Sequence, residues 1–168
     1  MTNTPIKILV IGEYSIFRSG LRMLLETDTN LRIIGEASKL ETAQQIVEEE
    51  SPDLILVDLP DLAEKDHFSF LENVTIPVLV LVGKYDAGVY QRCLTIGVRG
   101  LVLKEENADT LFKAIAKIHD GEIWFDRMIM GQTILQLVSE KRLLKEYPKA
   151  HVTNALTERE KQVVDLIC

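Results

Sequence analysis

Short apolar runs alternate with apolar stripes at helical spacing along most of the chain. Ile6 to Ile11 predicts a buried strand that ends at Gly12-Glu13. Phe17, Leu21, Leu24 and Leu25 then share one helical face, with Ser15 placed to cap the helix. Leu31 to Ala37 predicts a second strand after the turn residues Asp28-Thr29-Asn30. Ser38-Lys39-Leu40-Glu41 has capping-box spacing and opens a helix that carries Leu40, Ala43, Ile46 and Val47 inward. Glu48-Glu49-Glu50 closes it, an arrangement that opposes the helix dipole.

Leu54 to Val57 lies between Pro52 and Pro60 and is apolar throughout, as expected of a strand covered on both faces in a parallel sheet. The strand ends on Asp58, and Pro60 stops it. Leu62 to Asn73 predicts a weaker helix. Pro77 to Val82 predicts a fourth strand, and Asp86 a cap for a helix from Ala87 to about Ile96, stopped by Gly97. Leu101 to Leu103 predicts a short fifth strand ending at Lys104. Asn107 opens a helix with Leu111, Ala114, Ile115 and Ile118 on one face, closed by Asp120-Gly121. Strands alternating with helices in this way predict an α/β fold: a flavodoxin-like (βα)5 unit with a doubly wound parallel sheet.

Beyond Trp124 the pattern changes. Met128 to Leu144 predicts a linker helix with a broad apolar face of Ile134, Leu135, Leu137 and Val138. Tyr147 to Ala155 is a polar linker. Thr157-Glu158-Arg159-Glu160 is a second capping-box spacing, opening a helix with Val163, Val164 and Ile167.

Composition narrows the classes. The 168 residues carry a net charge of −7, unfavourable for phosphate contacts, which need clustered Lys and Arg. Cys93 and Cys168 form no disulfide framework. The N-terminus lacks signal-peptide character, and no apolar run approaches the roughly 20 residues that span a bilayer. The expectation is a cytoplasmic protein without a membrane partner. His67, His119 and His151 share no metal spacing with the cysteines, so no zinc site is expected. Gly12 lacks the following glycines of a dinucleotide loop.

Ligands of open α/β sheets bind at the carboxyl ends of the strands. Those ends supply Gly12 and Glu13, then Asp58, then Val82 and Gly83, then Lys104. With strand order 2-1-3-4-5, the first and third strands are neighbours. Glu13 and Asp58 can then share a divalent cation such as magnesium, with Lys104 adding a compact positive charge. Two acids, a hard cation and a lysine suit transfer of a phosphoryl group.

Residues 6 to about 121 resemble the receiver domain of a bacterial response regulator of the NarL/FixJ type. The resemblance is carried by Ile8-Leu9-Val10, Phe17-Arg18-Ser19-Gly20-Leu21, Pro52 through Asp58, Gly97 through Lys104, and Ile115 to Gly121. Leu156-Thr157-Glu158-Arg159-Glu160 resembles the opening of a LuxR-type helix-turn-helix domain. The resemblance implies that Asp58 aligns with the phosphoacceptor, Lys104 with the lysine that pairs with phosphoryl oxygens, and Glu13 with a magnesium ligand. It also marks departures. Gly12 stands where a second acid is usual, Val82 where a Ser or Thr hydroxyl is usual, and Leu101 where the switch Tyr or Phe is usual. The segment after Asp58 is shorter than usual, with Pro60 unusually close to the acid.

The expected organisation is a receiver domain over 1–122, a linker helix and linker over 123–155, and an incomplete helix-turn-helix domain over 156–168. The expected function is that of a transcriptional two-component regulator, not an enzyme. Its acidic pocket is degenerate and its regulation runs through dimerisation, a partner protein or a small ligand. A conventional receiver, phosphorylated on Asp58 by a histidine kinase with magnesium, is the alternative. A small flavodoxin-like enzyme or nucleotide binder is the second. DNA is expected as a partner only through a complete C-terminal domain, and a homodimer is expected.

Overall fold

The computed structural model describes residues 4–59 and 70–127, and beyond them Met130, Gly131, Leu135, Val138 and Ser139. Five strands form one parallel sheet: β1 (Ile6–Ile11), β2 (Leu31–Ala37), β3 (Leu54–Leu59), β4 (Val78–Val82) and β5 (Gly100–Leu103). Their spatial order is β2-β1-β3-β4-β5, the doubly wound order expected from the sequence. The helices between them are α1 (Ser15–Leu25), α2 (Leu40–Glu50), α3 (Ala87–Thr95) and α4 (Ala108–His119). Residues 70–73 are helical as well, the end of the segment predicted over 62–73; residues 60–69, with Pro60, lie outside the described residues.

The period-two alternation of the strands sorts the core into two layers. Leu9, Ile11, Ile55, Val57, Val80, Val82 and Leu101 pack with Ala43 of α2 and Val89, Tyr90 and Cys93 of α3. Ile8, Val10, Leu54, Leu56, Leu79, Leu81 and Val102 pack with Leu21 and Leu25 of α1 and the predicted face of α4. The central strands are buried on both sides, which explains their unbroken apolar runs.

The helix ends divide sharply. Asp86 accepts a hydrogen bond from the Val89 N–H at 3.0 Å, and Asn107 one from Thr110 at 2.9 Å, as predicted. Gly97 (φ 83°) and Gly121 (φ 89°) close α3 and α4. In each case the glycine N–H and the one after it reach back to carbonyls of the last turn: Gly97 to Leu94 and Val98 to Cys93, Gly121 to Ile118 and Glu122 to Lys117. The caps expected at Ser15 and Ser38 do not form. α1 begins at Ser15 itself, with Tyr14 in the capping position. α2 begins at Leu40, so Lys39 takes the cap and Ser38 falls one residue outside the helix. β3 also runs one residue past Asp58, which places that acid inside the strand.

A segment after α4 rejoins the sheet. Leu101 donates to the Trp124 carbonyl at 2.8 Å and Trp124 to that of Arg99 at 2.9 Å, forming a parallel bridge at Gly100. Trp124 packs on the α1/α4 layer and Phe125 on the α2/α3 layer. Contacts divide the chain into two units, Met1–Met130 and Gly131–Cys168; the sheet and its four helices belong to the first. Met130, Gly131, Leu135, Val138 and Ser139 are helical, within the predicted linker helix; Ile134, Leu137 and the segments from Tyr147 to Ile167 lie outside the described residues. Among the described residues no helix is long and apolar enough to cross a membrane.

Candidate functional site

The alternation that builds the core also builds the site. Gly12 follows Val10 by two residues, Asp58 follows Leu56 and Lys104 follows Val102, so all three belong to the α1/α4 side at the carboxyl edge. The Lys104 N–H donates to the Val82 carbonyl at 2.8 Å, which holds the lysine at the rim of β4. Its ammonium forms an ion pair with Asp58 Oδ1. It also lies 4.7 Å from the centroid of the Phe17 ring on α1. Phe17 thus covers the pair with a cation–π contact.

Asp58 is the sole buried charged residue among those described, with only 1% of its side chain exposed, against 25% for Lys104. A buried carboxylate needs a counter-charge, and Lys104 supplies it. The other oxygen, Oδ2, is buried and has no hydrogen-bond partner among the described residues. Gly12 sits against it: a Cβ at position 12 would lie 3.0 Å from Asp58 Cβ and 3.5 Å from Oδ2.

Glu13, Asp58 and Gly12 line one small recess with Ser38, Lys39 and Leu40. The convergence of Glu13, Asp58 and Lys104 expected from the sequence is therefore found, with unequal environments. Asp58 is buried and Glu13 is exposed. The recess measures about 20 Å³, room for roughly one water molecule. Magnesium keeps several waters and needs octahedral oxygen ligands. Among the described residues no group of three or more acidic, His or Cys side chains is placed to hold a metal. Among the described residues, with one Asp58 oxygen on Lys104 and no acid at position 12, too few oxygens converge to fit a magnesium ion.

Val82 ends β4, is 2% exposed and packs in the α2/α3 layer as an ordinary core residue. Leu101 is 3% exposed in the same layer. Beside it lies a cavity of about 330 Å³, lined by Tyr90, Thr110, Trp124 and Phe125 among others. Tyr90 from α3 supplies an aromatic ring here, edge-on to Phe125 at 5.9 Å and to Tyr85 at 5.3 Å. Burial pushes its phenol up to about 12, with the charge of Asp126 adding to the shift and a hydrogen bond with the Asp126 backbone opposing it.

Two residues escaped the sequence reading as parts of this site. Lys39 lines the recess, displaced there by the late start of α2. Arg18 stands beside the loop after β1, and its Nη1 donates to the carbonyls of Gly12 at 2.6 Å and Glu13 at 3.0 Å. Its position one residue from the apolar stripe of α1 was a signal, but the partners of its Nη1 are backbone atoms and leave no trace in residue type.

The sheet order, the strand-end acid and the lysine facing it define a receiver domain. Residues 8–116 match the response regulator receiver domain family, and the chain belongs to it. Its relatives are regulators of the NarL/LuxR type. It is 28% identical to the transcriptional regulatory protein YdfI of Bacillus subtilis, over 96% of this chain and 74% of that protein. It is 29% identical to the response regulator protein VraR of Staphylococcus saprophyticus, over 97% of this chain and 76% of that protein. Among solved structures, a LuxR-family two-component response regulator from Aurantimonas sp. shares the fold, with a TM-score of 0.69 at 19% identity. That match covers 80% of this chain and 99% of the other.

Proposed function

We propose that this chain is the receiver portion of a cytoplasmic transcriptional regulator, with Asp58 at the phosphoacceptor position in a pocket that no longer runs the usual phosphoryl switch. In this reading residues 1–122 form the receiver, 123–155 the linker and 156–168 the start of a helix-turn-helix domain. DNA is contacted only by that domain when complete. Output is set by dimerisation of the receiver.

One observation carries the reading: the Asp58 carboxylate is buried and ion-paired with Lys104, and among the described residues no group of three ligating side chains gathers around it. An incoming phosphoryl group needs its charge neutralised and its oxygens bound. Gly12 brings no acid and Val82 no hydroxyl donor to that task. Leu101 brings no aromatic ring to report the result. The test is mass spectrometry after incubation with magnesium and acetyl phosphate. The expected spectrum is that of the unmodified chain; an adduct on Asp58 overturns the reading.

The Oδ2 of Asp58, without a hydrogen-bond partner among the described residues, favours a second reading. An exposed edge of that carboxylate, opened by movement of the Gly12 loop, would make a nucleophile for a phosphoryl donor, a histidine kinase in the cell. In that case Asp58→Asn abolishes regulation in vivo; under the first reading it leaves regulation in place.

A further inference from the structure

We propose that Arg18 is the positioning residue of the acidic pocket: a guanidinium clamp that keeps the loop bearing Gly12 and Glu13 formed without the help of a metal ion. The loop is short, connects β1 directly to α1, and has no side-chain cap at the start of the helix. Its two consecutive carbonyls, of Gly12 and Glu13, both accept from Arg18 Nη1, at 2.6 and 3.0 Å.

The clamp is itself anchored. Arg18 Nε is buried, makes no hydrogen bond among the described residues, and faces Glu36 Oε2 of β2 at 3.5 Å. Glu36 Oε1 is held in turn by Arg22 Nε at 2.5 Å, and Arg22 Nη1 meets Glu26 at 2.9 Å. The chain of charges therefore runs from β2 through α1 to the loop. Arg18 side-chain exposure is 15%, so water competes little for the part-buried contact to Gly12, while the one to Glu13 is exposed. The stem also matters: Arg18 Cγ lies 3.7 Å from where a Cβ at position 12 would sit. Stem and Asp58 together close the space over Gly12.

A lysine could not serve in the same way. The planar fork of arginine points one edge at the carbonyls while Nε faces the carboxylate; an ammonium is a single point charge. The inference concerns the order of the loop and does not require that Asp58 be either modified or silent.

Backbone ¹⁵N relaxation on the full chain tests it. The wild-type Glu13 and Tyr14 amides are expected near the rigid order parameter of about 0.85, unchanged by millimolar magnesium chloride. Arg18→Met keeps the stem and removes the fork; there the same amides should fall below about 0.6, while those of Leu21 to Leu25 stay rigid. Arg18→Lys should lie between the two. Glu36→Gln removes only the anchor and should loosen the same two amides less, which gives a reading if Arg18→Met fails to fold. Unchanged order in Arg18→Met, or loosening spread equally along α1, overturns the proposal. So does a wild-type loop that becomes rigid only when magnesium is added. None of these outcomes depends on an adduct at Asp58.

Discussion

Asp58 and Lys104 concentrate the electrostatic cost of the fold in one pair. Removing a partner from a buried pair strands a charge in a poorly solvated site, whereas removing both can be nearly neutral. Lys104→Met is expected to lower stability in urea by about 3 kcal/mol, the low end of the range because Lys104 is partly exposed. Asp58→Asn combined with Lys104→Met should recover most of that loss. Equal losses in the single and double variants would show that the two side chains are energetically independent. Cys93 illustrates the opposite case, a reactive group silenced by packing. It is fully buried, and desolvation pushes its thiol up to about 12. In a Cys168→Ser background, a disulfide-exchange reagent at neutral pH should find no thiol in the folded protein and one in urea.

At the scale of the element, two glycines and one serine mark where the backbone is constrained. A Cβ at Gly100 would lie 2.5 Å from Ile118 Cδ1 and 3.1 Å from both Leu79 Cδ1 and Trp124 Cβ. The close approach of α4 and the Trp124 segment to β5 depends on that absence. Gly100→Ala should destabilise by about 2 kcal/mol through overpacking. It should also shift the emission of the one tryptophan in the chain, Trp124, to the red. Ser51 ends α2 with φ 49°, a left-handed conformation suited to glycine. Ser51→Gly is expected to raise the urea midpoint modestly, by the equivalent of about 0.5 kcal/mol. A lowered midpoint would mean that the serine makes an interaction outweighing its strain. Gly12 resembles Gly100 and differs from Ser51: its φ is unexceptional, and what it permits is the approach of Asp58.

The whole molecule should lose stability in alkali. Tyr90 and Cys93 both sit in the α2/α3 layer, and both hold their protons more tightly folded than unfolded. Unfolded, the thiol ionises near 9.0 and the phenol near 10.0; folded, each is raised to about 12. Above those unfolded values the native state binds more protons, so stability falls as pH rises. The thermal midpoint should be insensitive to these two groups below about pH 9 and decline from there toward 12. Tyr90→Phe should remove the phenol's share of the decline. Tyr90 also ties α3 to the segment after α4, through Phe125 and Asp126. Loosening should therefore be felt at Trp124 before the sheet melts.

The order and type of the described elements were legible in the residues because buried strands and amphipathic helices impose local periods on the chain. Asp86, Asn107, Gly97 and Gly121 were legible as punctuation for the same reason: each acts on backbone atoms within a few residues of itself. Ser15 and Ser38 misled because cap spacing fixes a helix start only to within a residue: α1 starts one residue earlier than a Ser15 cap requires and α2 one residue later than a Ser38 cap requires. Glu13, Asp58 and Lys104 could be placed at one rim once a parallel sheet was inferred, since every strand of such a sheet ends at the same edge. Three-dimensional packing alone decided that Asp58 is dry while Glu13 is wet, that Phe17 covers the lysine, and that Arg18 grips two carbonyls. Those facts depend on contacts between distant segments and on backbone acceptors every residue type shares, so no local pattern of side chains could encode them.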